Sequence, residues 1–325
     1  MDKVVFVLIT VALMVALGSV ARLLNIIPPT AAGLLNNIVM TFFLPALVFT
    51  GIKKAQDTQS KAAGLSPELL RIPLIAYLTI GVCGLLAFVL GKYIFHMKRP
   101  QMGAFLLTSM FGSTAFIGIP LISGIYNEKS YSKEVSSGAL LQHTFYSELG
   151  SLILLVTVAI MIASYYGERT HSQKTSFWWN LIAVPKSGPF LGMVLGLLFY
   201  TEEIPGPLLE TLNTLSQGTL PIMMFSLGLT IVWQDVRSQL TRILAMNVIK
   251  LVVAPLVALM LARYMGMSAV TQGVILLDAA TPAIVICLAY AAEYKLDREF
   301  ASACIFSSFF FSLITLPIVS NLLPR

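Results

Sequence analysis

Residues 103–121 read GAFLLTSMFGSTAFIGIPL, and residues 273–291 read GVILLDAATPAIVICLAYA. Each opens with glycine and three apolar residues. Each then turns small and polar where a helix in lipid is normally most apolar. Each carries a central proline, Pro120 and Pro282, which removes a backbone donor and clashes with the preceding turn. A freed carbonyl is costly against lipid but tolerated where it faces a cavity or another interrupted helix. The two segments are therefore expected to break near mid-membrane, at Pro120 and Pro282, and to cross there. The plainer alternative is a simple proline kink in each.

The surrounding chain suits this reading. Of its 325 residues, 57% are hydrophobic and 11% charged, whereas soluble domains carry about 25% charged residues. The mean hydropathy is +0.85. There are too few charges to cover a water-facing surface, so the chain is expected to be an all-α membrane protein. Its net charge of +6 comes from Lys and Arg in short runs between apolar segments. That pattern suits loops beside anionic headgroups rather than nucleic acid. Cys83, Cys287 and Cys304 all lie in apolar stretches without a CxxC or a histidine partner, and read as packed thiols rather than metal ligands.

A bilayer needs about 20 apolar residues per span. Ten spans follow: 4–24, 30–52, 72–95, 102–124, 137–165, 187–201, 207–233, 241–265, 269–292 and 298–321. Segment 166–186 is a linker whose SFWWN suits an interfacial anchor. The first span is read as retained rather than as a cleaved signal peptide, because the repeat requires it. The N-terminus, even-to-odd loops and C-terminus hold nine Lys and Arg, and the remaining loops eleven. The positive-inside rule then places both termini outside, most simply in a plasma (inner) membrane.

A second pair of segments carries the duplication. Aligned on Leu-Pro, residues 34–52 (LLNNIVMTFFLPALVFTGI) match residues 212–229 (LNTLSQGTLPIMMFSLGL). Asn37 and Asn213 each lie eight residues before their proline, Pro45 or Pro221, and Phe49 and Phe225 each lie four after. Span two thus matches span seven, and span four matches span nine. The unit is five spans used twice, residues 1–165 and 187–325. Five is odd, so the second copy enters the membrane from the opposite face, giving the inverted repeat of a secondary transporter. Pro45 and Pro221 are expected to kink or hinge the helices beside the crossing.

Charged residues deep in a span are expensive and point to function. Asp278, four residues before Pro282, is placed to coordinate a cation, to carry a proton, or simply to cap the broken helix. Glu148 shares a helical face with Thr144 and Ser151 and is a second ion-coupling candidate, or else a headgroup-level residue. Lys250 either attracts an anion, pairs with an acid or snorkels to the interface. Asn37, Ser113, Thr114, Gln142, Asn213 and Thr281 are polar groups near the expected breaks and kinks, and form the candidate substrate-binding set. His143 is a possible proton relay.

NNIVMTFFLPALVFTGI, STAFIGIPLI and AATPAIVICLAYAAEYKLD resemble the auxin efflux carrier family, which includes bacterial malonate-type carriers and plant auxin exporters. That family sits in one superfamily with the bile-acid and sodium symporters. The resemblance implies ten helices in inverted five-helix repeats, crossing broken helices four and nine, and elevator-like transport of organic anions. It also implies a homodimer. The family's Asn-Thr-Gly-Phe is replaced by Ser113-Thr114-Ala115-Phe116, and serine is a shorter donor than asparagine. The long loop that the plant members carry after span five is here reduced to the linker.

The functions in view are a secondary transporter of a small organic anion, coupled to H+ or Na+ and needing no other cofactor, and a sensor that binds without transport. An intramembrane enzyme is disfavoured. Only Asp278 among the aspartates lies inside a span, and His143 has no GxSxG partner.

Overall fold

The computed structural model describes residues 2–28, 30–61, 67–126, 132–167, 188–199, 204–230 and 239–323. Among these, every regular element is a helix, and the one extended pairing is an isolated antiparallel bridge between Gly112 and Ala283. Helix α1 is Asp2–Leu23. Helix α2, Ala31–Ile38, passes through a π-turn at Val39–Phe43 into α3, Leu44–Lys61. Helix α4, Pro67–Val89, ends in a π-turn at Leu90–Ile94. Helix α5, Arg99–Met110, stops at Phe111, and a π-turn at Thr114–Gly118 leads into α6, Ile119–Ile125. Helix α7, Lys133–Thr144, continues through a π-turn at Phe145–Leu152 into α8, Ile153–Val156, and α9, Val158–Tyr166. Helix α10 is Gly188–Leu198 and α11 is Gly206–Thr230. Helix α12, Leu240–Val248, passes through a π-turn at Ile249–Val253 into α13, Ala254–Tyr264. Helices α14, Ala269–Ala279, and α15, Ile286–Glu293, precede the long α16, Arg298–Asn321.

Among the described residues, five helical runs are long and apolar enough to cross a membrane: Ala31–Gly51, Glu68–Ile94, Gly138–Tyr166, Leu240–Tyr264 and Arg298–Asn321. Large apolar side chains such as Leu13, Leu17, Leu85, Met260, Phe310 and Ile314 are exposed on the outer surface. In water so broad an apolar surface is a liability, whereas against hydrocarbon it costs nothing. The molecule is an integral membrane protein.

Local chemistry sets the ends. The side chains of Ser132, Ser268 and Asp297 accept hydrogen bonds from the backbone N–H groups of Val135, Thr271 and Phe300, capping α7, α14 and α16. The prolines behave less symmetrically than the repeat suggests. Pro45 follows the wide π-turn, whereas α11 runs uninterrupted through Pro221. The first break also differs from its expected place. It lies at Phe111–Ser113, and Pro120 follows the π-turn Thr114–Gly118 inside the helical run that resumes after the break. Pro282 does lie inside its break, between α14 and α15. Of the linker, residues 168–187, with Trp178 and Trp179, lie outside the described residues.

The helices pack in two groups. In one, α1 and α3 pack on α11, and α10 packs on α3. Glycine allows the closest of these approaches: a Cβ on Gly228 would fall 2.1 Å from the Val15 carbonyl oxygen. In the other group, α4 packs on α5 and α13, α16 on α5, and α14 on α7 and α13. The candidate site lies where the two groups meet.

Candidate functional site

Breaking α5 and α14 frees backbone groups that need partners in a membrane interior. They find them in each other. Ser113 N–H donates to the Pro282 carbonyl at 2.8 Å, and Ile284 N–H donates to the Phe111 carbonyl at 3.0 Å. The α16 hydroxyl of Ser308 accepts from Ala283 N–H at 3.1 Å. Thr281 Oγ1 donates to the Asp278 carbonyl at 2.7 Å and closes the end of α14.

The deep charges gather around this junction. Asp278 and His143 are 0% and 2% exposed. Nδ1 of His143 lies 2.8 Å from Oδ1 and 3.1 Å from Oδ2 of Asp278. Gly118, in the π-turn after the first break, makes room for the pair: a Cβ there would fall 2.7 Å from both Asp278 Oδ1 and His143 Cε1. Lys250, 4% exposed, donates from Nζ to the Ala279 carbonyl at 3.0 Å. Charge is stable here only because each group has a partner.

Beside the junction lies a cavity of about 330 Å³ between the two helix groups. From α3 come Leu47, Thr50 and Gly51, and from α11 Ser216, Gln217 and Leu220. The junction contributes Gly112, Thr114 and Ile284, and the π-turn after α7 contributes Ser147, Glu148 and Ser151. Thr114 and Ser147 hydroxyls lie 3.0 Å apart, and Ser147 Oγ donates to Glu148 Oε1 at 3.3 Å. Gly51 accommodates the carboxylate: a Cβ there would meet Glu148 Oε2 at 2.2 Å. Three of the segments that carry site residues contain π-turns, at Thr114, Glu148 and Lys250. Such turns re-aim side chains and recur at functional positions.

The structure brings together Ser113, Thr114, Thr281, Asp278 and Glu148 around the junction and cavity. Ser113 Oγ is buried without a protein partner. It does not bring in the rest of the set. Asn37 is exposed, and the neighbouring Asn36 is the buried one, accepting from Ser226 Oγ at 2.8 Å. Asn213 is half-buried, its carbonyl accepting from Ser216 Oγ. Gln142 is half-buried with an unpartnered Oε1, one residue from His143 but not on the cavity wall. Sequence reasoning missed Thr50, Gly51, Ser147, Ser216 and Gln217. Nothing in a lone Ser or Gln on a membrane helix marks it as cavity-lining.

Gly112 is the most constrained point of the junction. A Cβ there would fall 2.5 Å from Thr281 Oγ1 and 2.7 Å from Lys250 Nζ. Gly112→Ala is expected to destabilise the fold by about 1–3 kcal/mol through overpacking, read as a lower melting midpoint of the purified protein. Gly138→Ala, which meets nothing within 4 Å, is the matched control.

A family model described as membrane transport protein matches residues 3–320. An uncharacterized transporter of Methanocaldococcus jannaschii is 25% identical over 321 residues, covering 97% of this chain and 96% of that one. An uncharacterized transporter of Methanothermobacter thermautotrophicus is 25% identical over 317 residues, covering 97% of each chain.

Proposed function

Because the chain belongs to the membrane transport protein family, as its resemblance to the auxin efflux carriers implies, we propose that it is a secondary active transporter of a small organic anion, a carboxylate or auxin-like acid. Its ten spans form two inverted five-helix repeats, and it works by alternating access. The group holding the junction slides, elevator-like, against the group holding α1, α3, α10 and α11. Transport is coupled to H+ or Na+, with Asp278 as the coupling carboxylate.

One observation carries this reading. Two interrupted helices pair backbone to backbone beside a buried carboxylate, next to a cavity of mostly apolar lining with a few hydroxyls and Glu148, bounded by both helix groups. Unwound backbone at a mid-membrane site is what such carriers use to hold substrate and coupling ion. The deciding experiment is uptake into proteoliposomes from a panel of organic acids, with sodium and pH gradients imposed separately. Counterflow without any gradient separates a carrier from a sensor. A protein that binds an acid but never exchanges it refutes the transporter.

The cavity wall sharpens the coupling. Among the described residues lining it, Glu148 is the one charged side chain. Two like unit charges about 5 Å apart repel by about 3 kcal/mol at an effective dielectric of about 20. An organic anion therefore binds best when Glu148 carries a proton. Apparent affinity is expected to rise as pH falls in the wild type. In Glu148→Gln it is expected to be about tenfold tighter near neutral pH and less steeply dependent on pH, the remaining slope belonging to Asp278, each factor of ten being about 1.4 kcal/mol. Counterflow half-saturation at several pH values measures both.

A further inference from the structure

A half-helix ending inside a membrane presents the negative end of its dipole there, and its last carbonyls call for donors or a cation. Helix α14 ends this way at the junction. The Leu276 carbonyl accepts from Ala280 N–H, and the Asp278 carbonyl from Thr281 Oγ1. The Ala279 carbonyl is taken by Lys250 Nζ at 3.0 Å. The lysine reaches it from another element, the π-turn Ile249–Val253. The same ammonium fills the hollow at the first break, since a Cβ on Gly112 would fall 2.7 Å from Nζ and 2.9 Å from Cε. One side-chain cation therefore touches both interruptions. The titratable groups that act on its charge are Cys83, Asp278 and Cys287. One oxygen ligand suited to a small cation contacts it, the Ala279 carbonyl, and Thr281 Oγ1 also borders the Gly112 hollow that the ammonium fills.

We propose that Lys250 is a built-in counter-ion, its ammonium standing where a dissociable sodium ion would otherwise sit, so that the carrier runs without sodium. This rests on the carrier reading above. A tethered charge cannot be released to either side, so it holds the junction together through the cycle and draws nothing from an ion gradient. Only ions that bind and leave can couple. Asp278 with His143, and Glu148, are then the groups loaded from solution, and the proton is the coupling ion.

The prediction is that removing the ammonium, while leaving its oxygen partners and the space it filled, creates sodium dependence. Purified protein in detergent is melted in sodium chloride and in equimolar choline chloride. Wild type is expected to have the same midpoint in both. Lys250→Ser is expected to melt lower in choline and to recover roughly 2–4 °C in sodium, as for a ligand that binds the folded state alone. Lys250→Met keeps a long side chain in the hollow and is expected to melt lower in both salts, without recovery.

Sodium stabilisation of the wild type, or a Lys250→Ser midpoint indifferent to sodium, overturns the inference. Should Lys250→Ser fail to fold in either salt, the wild-type comparison decides, together with wild-type counterflow in sodium-free buffer. The melts require no substrate, so they read this inference separately from the carrier reading. Failure of the carrier reading appears as absence of counterflow with every acid in the panel.

Discussion

Asp278→Asn is expected to abolish gradient-driven accumulation while leaving passive exchange in place. Asparagine has the same shape, and its Oδ1 still accepts from Nδ1 of His143, now 2.8 Å from the carboxylate. The side chain loses only the ability to gain and lose a proton at a site that is 0% exposed. Internal substrate should then equilibrate with external substrate instead of exceeding it. That is a tenfold loss in accumulation ratio for every ~1.4 kcal/mol the gradient had supplied. The melting midpoint is expected to fall while the fold is kept, because the pair keeps its hydrogen bond but the buried Lys250 ammonium loses a neighbouring negative charge. Accumulation that survives in the variant removes Asp278 from the coupling role.

Thr50 and Ser226 are expected to exchange places on the wall of the access cavity during the transport cycle. Thr50 lies five residues after Pro45, and Ser226 five after Pro221. Both are buried, Thr50 at 1% and Ser226 at 0% exposed, but Thr50 lies on the cavity wall whereas Ser226 is bonded to Asn36. The same asymmetry holds across the two segments. Leu47, Ser216 and Gln217 line the cavity. Their repeat counterparts Met223 and Met40 are buried, while Thr41, the counterpart of Gln217, is exposed on the wall of a separate apolar groove. The cavity thus lies on the half of the molecule where α3 ends and α11 begins. Two repeats inserted with opposite polarity give the second access state by swapping the conformations of the halves. A cysteine at position 50 should react with an impermeant maleimide from one side of the membrane, and a cysteine at 226 from the other, and only under turnover. The native Cys83, Cys287 and Cys304 are buried and give a quiet background. A cysteine at 226 that stays silent from both sides, while one at 50 reacts, argues against alternating access at this cavity.

The class of the protein was legible in composition alone. Near-absence of charge over long apolar runs leaves a chain no stable home but a bilayer, and the helices of the described residues lie close to the spans read from hydropathy. The two interruptions were also legible. Polar and small residues at Gly112–Thr114 and Ala279–Pro282 stand where only an energetic cost would put them in a plain spanning helix. Asp278 was visible for the same reason, since a lone carboxylate in lipid needs a purpose.

Position within a break was less legible. Proline marks where a helix cannot donate, but the wide π-turn Thr114–Gly118 leads the helix into Pro120, so Pro120 follows its interruption rather than making it. The asparagine repeat pointed to Asn37, yet Asn36 is the buried one, held by Ser226 from the other repeat, a contact that spacing along the chain does not record.

The sequence by itself determined that this chain lives in a membrane, that two of its helices break, and that an acid sits at one of the breaks, because each of those carries a large cost in hydrocarbon that local composition reveals. Only the tertiary structure decided which groups meet: His143 with Asp278, Lys250 with the Ala279 carbonyl, and Glu148 with the hollow at Gly51. Those contacts join residues far apart in the chain across helix faces, and their geometry depends on packing and π-turn phase, which no linear spacing records.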